Sequence, residues 1–258
     1  NRDVLVDSTV CVRTTTMTSA VEKSAFEILP LLAIELSQRA GGAAVRTVDG
    51  ATHAREFEGG RRDRDDVLPG IESALRDSGV RASSLAAVAV DVGPGGFTGL
   101  RISIAAAQVI AEVASAVVIA VPAALVAAGS TPSMATKIGV VIVCSAAKGG
   151  TVWCSQVTRT SVDDPWRILG DPGIVDCLTC ESTPSAVLAD EHVDATLLEA
   201  FRDAGVPIEN PDFKPSILAD IAMSAGPDVS IHTDPALLLP LYPRGPEAVR
   251  KWQERSTR

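Results

Sequence analysis

Apolar residues along the chain fall first into short unbroken runs and then into helical stripes. The run Leu31-Leu32-Ala33-Ile34-Glu35-Leu36 predicts a buried strand over 31–36, then a turn with paired glycines over 37–42 and a returning strand over 43–48. Asp49-Gly50 is a strong hairpin signal leading into a third strand over 52–57, so the patterned region opens with an antiparallel meander. Val67, Leu68, Ile71 and Leu75 share one face of a helix that ends near Gly79. Pro69 fits only in the first turn of that helix, which makes Asp65 or Asp66 its cap. An Ala/Val strand over 85–91, a glycine-rich turn, a helix over 98–115, a strand over 117–121 and a short helix over 122–128 follow.

This βββαβαβα order, three antiparallel strands followed by parallel crossovers, is the signature of a ribonuclease-H-like sheet, the half-domain that actin-like and sugar-kinase-like ATPases duplicate. After a hinge over 129–137 the pattern restarts less clearly. It predicts strands over 138–144 and 151–158 joined through Lys148-Gly149-Gly150, a strand over 173–178, helices over 194–204 and 214–225, and a short strand over 236–241. The expected architecture is an α/β actin-like ATPase fold, two lobes with mixed sheets, the second lobe degraded. Its layout is an N-terminal extension over 1–30, a first lobe over 31–128, the hinge, a second lobe over 138–244 and a tail over 245–258. Residues 1–30 are weakly patterned and begin at Asn1; Met17 is a candidate start, and 1–16 are expected to be dispensable.

Composition narrows the classes. Of 258 residues 46% are hydrophobic but only 3% aromatic, so the core is built from Ala, Val, Leu and Ile. A net charge of -9 argues against a broad nucleic-acid surface, because phosphate contacts need clustered Lys and Arg. No apolar run approaches the roughly 20 residues of a bilayer span, and a cytoplasmic location with no membrane partner is expected. The charge run Arg61-Arg62-Asp63-Arg64-Asp65-Asp66 reads as a solvated loop, with partner contact as the other use. Five cysteines, an odd count, suggest reduced thiols. If the Lys148-Gly149-Gly150 hairpin closes, Cys144 and Cys154 stand opposite each other, while Cys177-x-x-Cys180 is a lone pair without a zinc-ribbon counterpart.

The candidate chemistry centres on the stretch Asp91-Val92-Gly93-Pro94-Gly95-Gly96-Phe97-Thr98-Gly99-Leu100-Arg101. Its glycines permit positive φ and close approach, Pro94 stiffens the turn and Thr98 can cap the helix. Leu100-Arg101 after Gly99 rules out a Walker P-loop, which needs Lys and then Ser or Thr, and no Gly-x-Gly-x-x-Gly is present. Two uses stay open: an anion held at the helix N-terminus beside Arg101, or tight strand-helix packing. His53, His192 and His232 form no metal-ligating pair; Ser103 and Ser115 have no nearby His, and no Gly-x-Ser-x-Gly elbow exists. In the helix after the turn, Arg101, Gln108 and Glu112 form one narrow stripe, while Leu100, Ile102, Ile104, Ala106, Val109, Ile110 and Val113 cover most of the rest. Such a helix is buried on more than one side, either within its own chain or against another subunit.

The stretch Gly93-Pro94-Gly95-Gly96-Phe97-Thr98-Gly99-Leu100-Arg101-Ile102 closely resembles the signature of the TsaB (YeaZ) family, with Gly96 where that family usually has Ser. Leu32-Ala33-Ile34-Glu35, the helix with Leu68-Pro69 and the late Pro240-Leu241-Tyr242-Pro243-Arg244 are similar to further family segments, and together they cover residues 31–244. Catalytic TsaD relatives carry a metal-holding His-x-x-x-His that this chain lacks. The resemblance implies a non-catalytic scaffold for making N6-threonylcarbamoyladenosine at position 37 of tRNA. It would bind a TsaD-like catalytic subunit, with a TsaE-like ATPase joining, a homodimer also possible, tRNA met only through the complex, and no cofactor of its own because ATP and metal reside in the partners. It also implies a helical interface from Val67, Leu68, Ile71, Leu75, Leu100, Ile104, Val109 and Ile110. The family usually has Asp where Glu35 stands and Asp-Ala-Arg where this chain has Cys144-Ser145-Ala146-Ala147-Lys148, and a Gly-rich turn expected around 188–193 is missing. These departures weaken a nucleotide site. The alternative is an independent small-molecule kinase or ATPase of the same fold; a metal-dependent peptidase lacks the ligands.

Overall fold

The computed structural model describes residues 28–38, 40–58, 66–147, 149–178 and 183–242. The first half runs β1 (Leu31–Glu35), β2 (Ala40–Arg46), β3 (Thr52–Glu58), α1 (Val67–Ser78), β4 (Ala87–Asp91), α2 (Phe97–Ala114), β5 (Val117–Val121) and α3 (Ala123–Ser130). The second runs β6 (Gly139–Ala146), β7 (Val152–Arg159), β8 (Arg167–Val175), β9 (Ala186–Ala189), α4 (Glu199–Asp203), β10 (Ile208–Glu209), α5 (Pro215–Ser224) and β11 (Ser230–His232).

The strands build two mixed sheets, ordered β11-β5-β4-β1-β2-β3 and β10-β9-β6-β7-β8. In the first, β1 pairs antiparallel with β2 and parallel with β4; in the second, β6 does the same with β7 and β9. The second lobe therefore repeats the strand order of the first, as an actin-like, ribonuclease-H-like duplication requires. Its reduction lies in the crossovers: the counterpart of the 18-residue α2 is the five-residue α4 behind a 3₁₀ turn, Ala195–Leu198. The copies match even in a loop detail. Asp91 at the end of β4 accepts a hydrogen bond from the Gly93 N–H, and Asp190 just after β9 accepts one from the His192 N–H.

Every residue of β1 is buried, and the period of two divides them between two cores. Leu31 and Ala33 face the core between the sheets with Ala87, Ala89, Ile119 and Val121, while Leu32 and Ile34 face the outer core under α1 and α2 with Val88 and Val90. The inner core is closed by an exchange of helices. α5, from the second half, packs across β1 to β5, and α3, from the first, packs on β6 to β8. That sandwiching explains why seven of the eight residues of α3 are buried, and the small Ala side chains on the inner strands let both helices approach closely.

Several expectations give way. Gly41 and Gly42 lie inside β2, not in a turn; a Cβ on Gly41 would strike the Glu35 carbonyl and one on Gly42 the Pro215 ring, so they serve close packing. The segment 129–137 holds the end of α3 and a 3₁₀ turn, Pro132–Met134, whose Met134 is fully buried; Arg159 binds the carbonyls of Met134, Ala135 and Lys137. The strand expected over 236–241 is a 3₁₀ turn, Pro235–Leu237, followed by an extended strap; the real edge strand is β11, antiparallel to β5. β8 begins earlier than expected because Gly170 and Asp171-Pro172-Gly173 hide the pattern, and the four-residue β9 is an addition to the expected strands. Ile28 and Leu29 already pack into the inner core, while residues 1–27 of the expected extension, most of the charge run, Lys148, Cys180 and the tail lie outside the described residues.

Candidate functional site

β1 and β4 each end an apolar run with an acid, Glu35 and Asp91. Both continue the inward-facing register of their strands, and parallel pairing of Ile34 with Val90 sets them side by side. Neither has any solvent exposure. One oxygen of Glu35 accepts from the Ser37 N–H and from the Ser37 hydroxyl, both at 2.7 Å, and Asp91 Oδ1 accepts from the Gly93 N–H at 2.6 Å. The remaining oxygens, Glu35 Oε2 and Asp91 Oδ2, meet no other donor, so one proton shared between the two carboxyls satisfies both. Burial pushes both carboxyls up, and Asp91 is pushed further because Glu35 adds negative charge beside it and accepts its proton. The two carboxyls titrate as a unit that holds a proton more tightly than a free carboxyl does.

The glycine-rich turn closes over this pair. The Gly96 N–H donates to the Ser37 carbonyl at 2.7 Å, and a Cβ on Gly95 or Gly99 would overlap the Ser37 or Leu36 carbonyl oxygen. Gly93 has φ of 96° and precedes a cis Pro94. The N–H groups of Gly93 and Gly96 are thus engaged inside the chain, which favours packing over anion holding as the reason for the glycines. Thr98 lies within α2 instead of capping it; the N-cap is Gly96, with extended backbone.

The two segments that carried the resemblance meet here. Leu241 donates its N–H to the Val92 carbonyl at 2.7 Å, and the Tyr242 ring lies 5.3 Å from Phe97. Arg101 covers the same Phe97 ring at 4.9 Å. Further along α2, Gln108 Nε2 donates to the Pro235 and Leu238 carbonyls at 3.1 and 3.2 Å, and Leu238 is buried in the outer core. Pro243 and Arg244 lie outside the described residues.

The residues expected to form an interface divide. Val67, Ile71 and Ile104 face this chain's own outer core, and Leu100 is fully buried beside Gly93; with Ile104 only 5% exposed, these four are a correction, since their side chains are covered within the chain. Leu75 and Ile110 are half-buried at the core's margin. Leu68 and Val109 are exposed, 58% and 64%. Ile102 and Val113, which the expected set lacked, complete the surface: Ile102, Val109 and Val113 stand at i, i+7 and i+11, one line along α2, with Val113 at 71% exposure. Helix periodicity alone identifies them once the sheet-facing line of Leu100, Ile104, Ala107 and Ala111 is assigned first. α2 is long and apolar enough to cross a membrane by length and composition, a correction to the expectation that no run is; here one face lies on the sheet.

His53 lies on β3, His232 on β11 and His192 in the turn after β9, and among the described residues no group of three or more His, Cys, Asp or Glu is placed to hold a metal ion. The buried acid pair is absent from the expected site residues, although strands ending Ile-Glu and Val-Asp are its visible signal.

A family model described as "TsaD: tRNA N6-adenosine threonylcarbamoyltransferase" matches residues 58–166. Two solved structures share the fold. One is an uncharacterised protein with similarity to peptidase YeaZ from Pseudomonas aeruginosa, 22% identical, over 83% of this chain and 99% of that one, with a TM-score of 0.61. The other is YeaZ from Pseudomonas aeruginosa, 20% identical, over 82% and 99%, also at 0.61. A comparison with curated proteins gives no match.

Proposed function

We propose that this chain is a TsaB-type, YeaZ-like subunit that takes part in threonylcarbamoyladenosine modification of tRNA by binding and supporting a TsaD-like catalytic subunit. The observation that carries the reading is the outward apolar line of Ile102, Val109 and Val113 on α2, with Leu68 exposed on α1, which covers the same face of the same sheet. Side chains of this kind gain on the order of 1 kcal/mol or more each when a partner covers them. The match to a TsaD family model and the YeaZ-like fold support the same assignment.

The buried parts of the motif make that face rigid. The acid pair joins β1 to β4, the glycine turn seats α2 on the exit of β1, and Gln108 with Leu241 binds the strap to α2 and to β4's end. The glycine loop therefore acts through positioning, and the chain takes no nucleotide or metal of its own. A TsaE-like ATPase would join the pair, a homodimer would use the same face in competition, and tRNA, disfavoured by a chain of net charge -9, would be met through the complex.

Co-expression with the TsaD-type protein of the same organism tests the proposal. A stable complex through size-exclusion chromatography is expected; its absence, together with micromolar ATP binding by the isolated chain in calorimetry, would overturn the reading and support an independent kinase or ATPase.

A further inference from the structure

On the outer face of the second sheet, antiparallel pairing sets Cys144 of β6 directly opposite Cys154 of β7. Opposed residues in such a ladder have Cα atoms about 4.5–5.5 Å apart, within the span of about 4.4–6.8 Å that disulfides bridge. Both thiols are free. Cys144 is buried against Ile142 and Val187, whereas Cys154 is half-buried and open to a small reagent. The proximity of the two thiols holds the Cys154 thiol below its ordinary value and, with burial, pushes the Cys144 thiol up. The negative charge of Asp190 adds to the rise at Cys144.

We propose that Cys144 and Cys154 form a dithiol site that hydroperoxides oxidise reversibly to a cross-strand disulfide. The Cys154 sulfur attacks one peroxide oxygen while the proton given up by its thiol goes to the other; the O–O bond breaks, a sulfenic acid forms on Cys154, and water leaves from hydrogen peroxide or an alcohol from an organic hydroperoxide. The Cys144 sulfur then attacks the Cys154 sulfur, an S–S bond forms, and the departing hydroxide takes the Cys144 proton and leaves as water. Two thiols lose two electrons and the peroxide gains them. Opposed Cβ atoms in a ladder lie about 4.5–5.5 Å apart, while a disulfide draws them to about 3.8 Å, so the strands must close slightly. A bond made under that constraint is readily reduced, which makes the modification reversible.

The test is hydrogen peroxide treatment of the full chain, followed by blocking of free thiols, intact mass and peptide mapping. The expected product has lost two hydrogens, yields a peptide pair linked through Cys144 and Cys154, and returns to the dithiol with dithiothreitol. Cys144→Ser should leave a sulfenic acid on Cys154 that dimedone traps, and Cys154→Ser should leave Cys144 unoxidised. The wild-type measurement stands even if either variant folds poorly. Direct passage of Cys154 to sulfinic acid without a link, a disulfide confined to Cys177 and Cys180, or a Cys144 that stays alkylatable would each overturn the proposal.

Discussion

Replacing Asp91 with Asn removes one titrating proton while keeping the shape of the site. Asn can still accept from the Gly93 N–H, and its amide N–H takes the place of the proton shared with Glu35. In an unfolded chain an Asp carboxyl titrates near about 3.9. In the folded chain burial, and then the Glu35 charge, hold Asp91 well above that value. Between those two values the folded protein binds one more proton than the unfolded one, so stability falls as pH rises, by up to about 1.4 kcal/mol per pH unit. The contribution is complete below the unfolded value and is lost as pH climbs through the folded one. The Asp91→Asn variant has no such dependence at this position. Urea denaturation of both proteins from about pH 5 upward should give a stability difference that moves in favour of the variant, with that slope as its ceiling, and levels off once the folded-state value of Asp91 is passed. The exposed carboxyls Asp49 and Asp194, both held low chiefly by local hydrogen bonds from Thr47 and Thr196, are common to the two proteins and cancel, whereas Glu35, also pushed up by burial, changes its partner and keeps a pH dependence of its own in the variant. A difference that stays flat with pH would mean that Asp91 is ionised alike in both states, and the shared proton would be refuted.

Gly99→Ala should cost more than about 2 kcal/mol in urea denaturation, because its Cβ meets the Leu36 backbone oxygen, which cannot step aside. Gly96→Ser should instead be neutral or gain about a few tenths of a kcal/mol, since its Cβ lies 3.6 Å from the Ser37 oxygen and Ser is a good N-cap. Gln108→Ala removes two hydrogen bonds to the strap and should cost about 1–2 kcal/mol in the same assay, with faster limited proteolysis near Leu239 as the local readout.

Much of the first lobe is legible because its apolar runs are long and its turns carry strong signals. Gly50, following Asp49, and Gly79 stand where the backbone takes positive φ, and β5 matches its expected limits. The glycine motif is legible as a strand-to-helix turn, but not which side of α2 is covered. Leu100 and Ile104 differ from Ile102 and Val109 only in angle around the helix, and the side that meets the sheet depends on the partner strands. The second lobe is harder. Its strand β9 has four residues and β10 two, too short for a period to register, and its pairing partners come from distant segments. The strap over 235–242 resembles a strand because Leu238 is buried while Leu237 and Leu239 are exposed, an alternation produced by α2 and not by a sheet.

The most direct measurement is the affinity of the proposed TsaD-type partner for the wild-type chain and for Val109→Asp and Val113→Asp. Both positions are mostly exposed, so the variants should keep wild-type stability within about 0.5 kcal/mol. Each should weaken binding by about 2 kcal/mol, roughly thirtyfold, by setting an unpaired charge against an apolar partner. Folded variants that bind as tightly as the wild type would contradict the assignment of this helical face to a partner.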